Sequence, residues 1–336
     1  MEKEEKKEGG AACTGQEASP TVLSRFADVS AALRDPNLWP VSGKREIQPE
    51  GRDEAGRLKE RAAMLDALGT PRIERWRPQL EVVTASMLSK LPTDRPVDLF
   101  QEFTLPWGLS LAMLVLEADP GERGRLSALG TRVFAATGAS GDDTALRADA
   151  AAATTELEAV FANAPIPMGE PTFVALSQTL PRLLSSCWLA LLQHPEELAR
   201  LRSNPELMPG AIEELLRCGG IVRRVFRRAT ADIDIGGIRI PRGELVALML
   251  ASANRDPEQF SEAERVVVSR PMTNHLALGS GRNSCVGAQL IRMAASVATR
   301  GLLARFGSVE LCGVADWRTG SGFCFPSSVV VRLTSY

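Results

Sequence analysis

Residues His275–Leu290 read HLALGSGRNSCVGAQL, and this stretch decides the fold. Gly279, Gly281 and Gly287 flank a single cysteine, Cys285, directly ahead of a long amphipathic run. Gly279 and Gly281 can take backbone angles closed to other residues, and Gly287 lets another surface approach closely. A cysteine at the mouth of a helix meets free backbone N–H groups and the positive end of the helix dipole, which favour thiolate over thiol. The same residues also read as a glycine-rich turn around a buried structural cysteine.

Outward from the loop, the pattern is mostly helical. Residues 287–306 form an amphipathic helix, and His194–Arg202 and Pro209–Arg217 form two more. Glu214 and Arg217, three apart in AIEELLR, share one helix face and can pair. Between Arg224 and Leu250 the period changes towards two, with turns at Gly236-Gly237 and Pro241-Arg242-Gly243, and this reads as a small β region. A strand is expected at Thr21–Leu23, with a helix through FADVSAALRDP that stops at Asp35-Pro36. Residues 41–56 read as loop. Helical spacing runs from Arg57 to Leu91 with a break near Gly69, where Thr70 is expected to cap a helix opened by Pro71. Further helices are expected over 99–117, after Asp119-Pro120-Gly121, and over 172–193, interrupted by Pro181. The C-terminal GFCFPSSVVVRL reads as a β-hairpin. Residues 1–19 read as a disordered tail, leaving 20–336 as the folded domain.

Taken in order, these segments resemble the cytochrome P450 family. The loop resembles its F-x-x-G-x-[H/R]-x-C-x-G motif, with Leu278 for Phe, Gly281, Cys285 and Gly287 matched, and Asn283 at the basic position next to Arg282. AIEELLR resembles its E-x-x-R helix. ANRDPEQFSEAERV resembles the segment whose arginine completes a Glu–Arg–Arg cluster; Arg265 is the match and Arg270 the alternative. FRRATADIDIGGIRIPRGELVALML resembles the family's central β region, with Arg227 at its propionate-binding arginine. The resemblance implies a mainly α fold with a small β region, heme b as cofactor and Cys285 as the iron's axial ligand. It also implies a monooxygenase or related oxidase acting on a small, hydrophobic molecule in bacterial secondary metabolism, with a ferredoxin- or flavodoxin-type electron donor.

The chain departs from that pattern in three places. Sequence is missing between about 117 and 173, where the family places the helices that roof the substrate pocket. The oxygen-activating A-G-x-[D/E]-T is here Ala175-Leu176-Ser177-Gln178-Thr179. Thr179 with Gln178 would order the proton-relay water chain, although a glutamine cannot deliver a proton. Thr179 also reads as a hydroxyl bonded to its own helix. The family's heme-clasping His and Arg near 58–62 are absent, with Arg57, Lys59 and Arg61 as substitutes by register shift and a weaker clasp expected. Two other classes therefore stand beside the oxidase: a heme-thiolate isomerase or peroxide-driven enzyme, and a helper that binds and stabilises a glycosyltransferase.

Composition narrows the remaining classes. The chain has 336 residues, 44% of them hydrophobic, a net charge of −2 and a pI of 5.9, so no global basic excess points to nucleic acid. Six dispersed cysteines without C-x-x-C argue against a disulfide framework, and two distant histidines argue against a histidine-rich zinc or di-iron site. The charged N-terminus lacks a secretory core and no apolar stretch is long enough for a bilayer, so a cytoplasmic protein without membrane partners is expected.

Overall fold

The computed structural model describes residues 19–41, 54–137, 143–271, 274–320 and 322–336. Residues 1–18 of the expected tail and 42–53 of the expected loop lie outside them. Along the chain run β1 (Thr21–Leu23), α1 (Phe26–Arg34), β2 (Leu38–Val41), α2 (Glu54–Ala67), α3 (Thr70–Leu88) and β3 (Val97–Asp98). They are followed by α4 (Leu105–Val115), α5 (Arg123–Thr137), α6 (Thr144–Val160), α7 (Gly169–Val174), α8 (Leu180–Leu192), α9 (Pro195–Ser203) and α10 (Met208–Gly219). The last part contains β4 (Val225–Ala229), β5 (Ile233–Ile235), β6 (Ile238–Ile240), β7 (Leu245–Leu248), α11 (Leu250–Ala253), α12 (Ala288–Arg305), β8 (Phe306–Leu311), β9 (Trp317–Thr319), β10 (Cys324–Pro326) and β11 (Val330–Ser335).

The described residues form two apolar cores. The larger is helical and centred on α3, α4, α8, α10 and α12. Phe103 stacks between Trp107 and Trp188, with ring centres 6.1 and 5.6 Å apart. Both buried indoles find a hydroxyl, Trp107 at Thr84 Oγ1 (2.8 Å) and Trp188 at Thr299 Oγ1 (3.0 Å), so neither N–H is left unpaired. The smaller core lies between α1 and the sheet β1-β7-β4-β2, in which β1 pairs parallel to β7 and the other pairs are antiparallel. Leu276 belongs to this smaller core, while Ala277, Leu278 and Val286 pack on the larger one, so the cysteine loop straddles both.

Local chemistry explains where expectation and structure part. Pro181 does not interrupt its helix. A π-helical turn over Ala175–Thr179 precedes it, and proline then occupies the first turn of α8, where its missing N–H is not needed. Gly69, not Thr70, is the N-cap of α3; Thr70 already lies inside the helix and no side chain caps it. The C-terminal segment is not a hairpin with itself. β10 pairs β9, whereas β11 joins β8 and β3 in a separate antiparallel sheet. Helix α6 turns Ala150, Ala153 and Leu157 inward and ties its outer face to α5 through Arg132–Asp149 and Arg125–Glu156.

Candidate heme-thiolate site

The cysteine loop is shaped by its glycines. Gly279 and Gly281 have φ of +72° and +67°, which a β-carbon would strain. A side chain at Gly281 would also press on Leu33 O and Arg34 Cα, at 3.1 and 3.2 Å, so the loop lies against the end of α1. The Cys285 N–H donates to Leu278 O at 2.8 Å and closes the loop. Gly287 is the N-cap of α12 with an ordinary φ of −83°, and its N–H points at the Cys285 sulfur. Burial pushes the thiol above its ordinary range; the Gly287 N–H and the charges of Arg61 and Arg292 pull the other way without winning. The expected preference for thiolate is therefore not a property of the loop alone, and a cation at the sulfur would supply it.

Arginines converge on the open side of this loop. Arg57 and Arg61, four apart on α2, both reach it: Arg57 donates to Asn283 Oδ1 at 2.7 Å, and Arg61 to Ser284 O and Oγ at 2.7 and 2.9 Å. Lys59 is exposed. Arg282 donates to Pro36 O, and its guanidinium and that of Arg57 lie over Trp39, 5.6 and 5.7 Å from the ring centre. Arg227, on β4, is 7% exposed; one nitrogen donates to Phe226 O, while Nε is buried without a partner among the described residues. Burial and the nearby charge of Arg282 lower its pKa to about 10. An orphaned guanidinium nitrogen beside a second cation fits an anionic group such as a carboxylate. Asn283 serves here as acceptor for Arg57, so Arg57 and Arg61 together tie α2 to the loop.

The motif Ala175–Thr179 splits between two faces. Ala175 is exposed and Thr179 half-exposed, four residues apart on one side of the turn. Leu176, Ser177 and Gln178 are buried on the other. The structure thus separates Gln178 from Thr179. Gln178 packs against α5, where a β-carbon at Gly130 would lie 3.1 Å from its Nε2, and its Oε1 accepts from Arg182 at 3.1 Å. Leu176 turns its bulk into the helical core, not over the open face. The Thr179 hydroxyl makes no hydrogen bond to its own helix among the described residues.

The charge cluster forms around Glu214, with one member changed. Arg217 grips Glu214 with two bonds of 2.8 Å and donates to the carbonyls of Asn254, Ala263 and Arg265. Arg270, not Arg265, is the third member, its Nε 3.0 and 3.1 Å from the two carboxylate oxygens. Arg265 contributes only its carbonyl; its side chain is 52% exposed and pairs with Glu262 and Glu196. Val266 and Val268 bury their side chains after Arg265, and a turn closed by Arg270 N on Val267 O (2.9 Å) brings residue 270 back to Glu214. Behind the cysteine loop sits a second cluster not expected from sequence. Glu213 takes two bonds from Arg292, at 2.7 and 2.8 Å, and lies 3.3 Å from His275 Nε2. Its only sequence signal is a second glutamate beside the first.

Comparison with known proteins follows the same lines. The family model "Cytochrome P450" matches residues 196–322. Cytochrome P450 107B1 of Saccharopolyspora erythraea is 30% identical over 88% of this chain and 85% of its own length. The monooxygenase PikC of Streptomyces venezuelae is 36% identical over 49% of this chain and 39% of its own. Among solved structures, P450BioI in complex with an acyl-carrier-protein-ligated fatty acid superposes with a TM-score of 0.83 at 22% identity, covering 94% of this chain and 92% of that one. The LnmA hydroxylase of the leinamycin pathway of Streptomyces atroolivaceus gives 0.76 at 28% identity over 92% and 89%. A near-full-length relative, the shared fold and a cysteine loop set among arginines agree, and the chain belongs to the cytochrome P450 family of heme-thiolate oxidoreductases.

Proposed function

We propose that this chain oxidises a small, hydrophobic molecule, with heme b held between α8 and the cysteine loop. The observation that carries the reading is the convergence of Arg57, Arg61, Arg227 and Arg282 on the open side of a loop that presents Cys285. Cys285 would be the axial ligand, and Arg227 and Arg282 would take the propionates with Arg57 and Arg61 bracing the loop. Gly281 and Gly287 would shape the loop that holds the group, and Leu278 would line its pocket. Heme, when bound, supplies the one-electron and oxygen chemistry. Thr179 is the motif's hydroxyl on the open face, where it can hold a water and pass a proton at its Oγ. Gln178 is engaged by Arg182 and takes no part in that transfer.

Relatives named for secondary metabolism, among them the leinamycin-pathway hydroxylase, support a role of that kind in a bacterium. A ferredoxin- or flavodoxin-type protein would supply electrons. No helix among the described residues is long and apolar enough to cross a membrane, in keeping with a cytoplasmic assignment. A second reading, a peroxide-driven enzyme or isomerase, draws on the sequestered Gln178, because neither chemistry needs an acid beside Thr179.

The test is the spectrum of the reduced protein under carbon monoxide. The expected result is the red-shifted Soret band of thiolate ligation in the wild type and its loss in Cys285→Ala. A Cys285→Ala protein that keeps the band overturns the assignment.

A further inference from the structure

A half-buried cation next to the oxygen motif has no acid paired with it among the described residues. Arg182 lies three residues beyond Thr179 on the same helix and is half-buried. Its guanidinium carbon is 3.9 Å from the ring centre of Phe134 on α5, 5.2 Å from Phe100 and 5.3 Å from Phe325 on β10. One terminal nitrogen, Nη1, donates to Gln178 O at 2.6 Å and to Gln178 Oε1 at 3.1 Å. The Nε is enclosed and has no hydrogen-bond partner, and no carboxylate pairs with this side chain among the described residues. The charge that acts on it has the same sign: Arg318 on β9, opposite Phe325 in the hairpin register.

Such an arrangement is costly unless something answers the charge. The chain has the means at hand, because a glutamate at 178 would keep the shape and the hydrogen bond and add the missing anion. It carries glutamine instead and leaves the guanidinium positive. Three rings surround that guanidinium, and Gln178 occupies only its Nη1. The Nε–Nη2 edge is the one that Gln178 does not use, and two parallel N–H groups match a planar carboxylate. The cage is also well placed. The hairpin bearing Phe325 is laced to the segment leading from α10 to β4, with Cys324 N on Ile221 O at 2.9 Å and Arg223 N on Gly322 O at 2.7 Å. Gly220, at the start of that segment, lies against Ala277 of the cysteine loop.

We infer that Arg182 anchors a carboxylate on the substrate, which is therefore an amphipathic organic acid. Its carboxylate sits on the Nε–Nη2 edge, the Phe134 and Phe325 rings receive the first apolar atoms, and its body runs past Thr179 towards Cys285. This names the substrate class of the site proposed above and rests on that reading only for the end nearest Cys285.

Decanoate and methyl decanoate, measured by equilibrium dialysis against the full chain, test it; heme loading is recorded separately from the reduced carbonyl band. The wild type is expected to hold the acid about 10- to 100-fold more tightly than the ester, the range for a charge-assisted pair. Arg182→Gln should lose most of that preference. Gln178→Glu should lose it too, because a built-in carboxylate then takes the guanidinium, and this nearly isosteric change guards against a misfolded Arg182→Gln protein. Equal binding of acid and ester by the wild type, no binding of decanoate, or an undiminished preference in Gln178→Glu overturns the inference. A preference for decanoate in protein without the carbonyl band upholds the anion site and removes the heme reading alone.

Discussion

Glu214 is 1% exposed, and four nitrogens surround its two oxygens: two from Arg217, one from Arg270 and the Val267 N–H. Burial alone would raise its pKa, yet these partners hold it below the usual carboxylate range. Removing one side of a buried pair leaves an uncompensated charge, which costs about 3–5 kcal/mol. Arg217→Leu is expected to fall in that range and Arg270→Leu to cost a substantial part of it. Arg265→Leu should stay within about 1 kcal/mol, as for an exposed pair. Urea unfolding of the three variants ranks them, and an Arg265→Leu loss equal to that of Arg217→Leu would contradict the geometry. Glu213 gives a pH signature. Burial opposes its charge, but the His275 bond and Arg292 pull its pKa to about 2, from an ordinary 4.5. A carboxyl lowered on folding adds stability above its unfolded pKa and loses it as pH falls towards the folded one. Arg292→Met should therefore lower Tm most near neutrality, with the gap to wild type closing between pH 4.5 and about 2. A gap that is constant with pH would show that Arg292 acts by packing alone.

At the scale of elements, close approach sets α4 against α8. A β-carbon at Gly108 would collide with the Pro181 ring and with Leu176 O, at 2.7 Å, so the helices meet backbone to backbone there. Overpacking of this kind costs about 1–3 kcal/mol. Gly108→Ala should lose that much in chemical denaturation, whereas Gly124→Ala, where a β-carbon meets nothing within 4 Å, should not. Equal behaviour of the two would refute the tight crossing. The same contact explains what the sequence conceals. Period and punctuation were enough to mark β1, α1, α9, α10 and α12 within a residue or two, because each follows local rules of alternation, capping and breaking. Pro181 looked like a break because proline rules assume a regular α-helix, and the π turn that absorbs it depends on α4 packing behind. The partners of β10 and β11 were equally hidden, since strand pairing across the chain leaves no local mark. The Glu214–Arg217 pair was legible because residues three apart on a helix share a face. Arg182 was not, because its meaning lies in rings from three distant segments.

Over the whole molecule, the cysteine loop is the joint between two cores, and α2 is its outer clamp. Among its described residues the helix buries Met64 and Ala67 alone, and it is held to the loop by Arg57 and Arg61. A helix with so little buried apolar surface opens easily, since local stability follows burial. A ligand that binds the folded state adds to its stability by mass action, and most where the binding groups were least secure. Heme would engage the loop through Cys285 and the arginines about it, so its stabilisation should fall unevenly. Adding hemin to heme-free protein is expected to raise Tm. In hydrogen exchange it should slow the amides of α2 and of residues 278–287 far more than those of α3 and α12, which the helical core already protects. The double variant Arg57→Ala, Arg61→Ala should bind hemin with α2 remaining fast, because the bonds to Asn283 and Ser284 that couple helix to loop are gone. Protection spread evenly over α2, α3 and α12 in the wild type would mean that the molecule responds as one unit, and α2 would then be a bystander to the site and not its clamp.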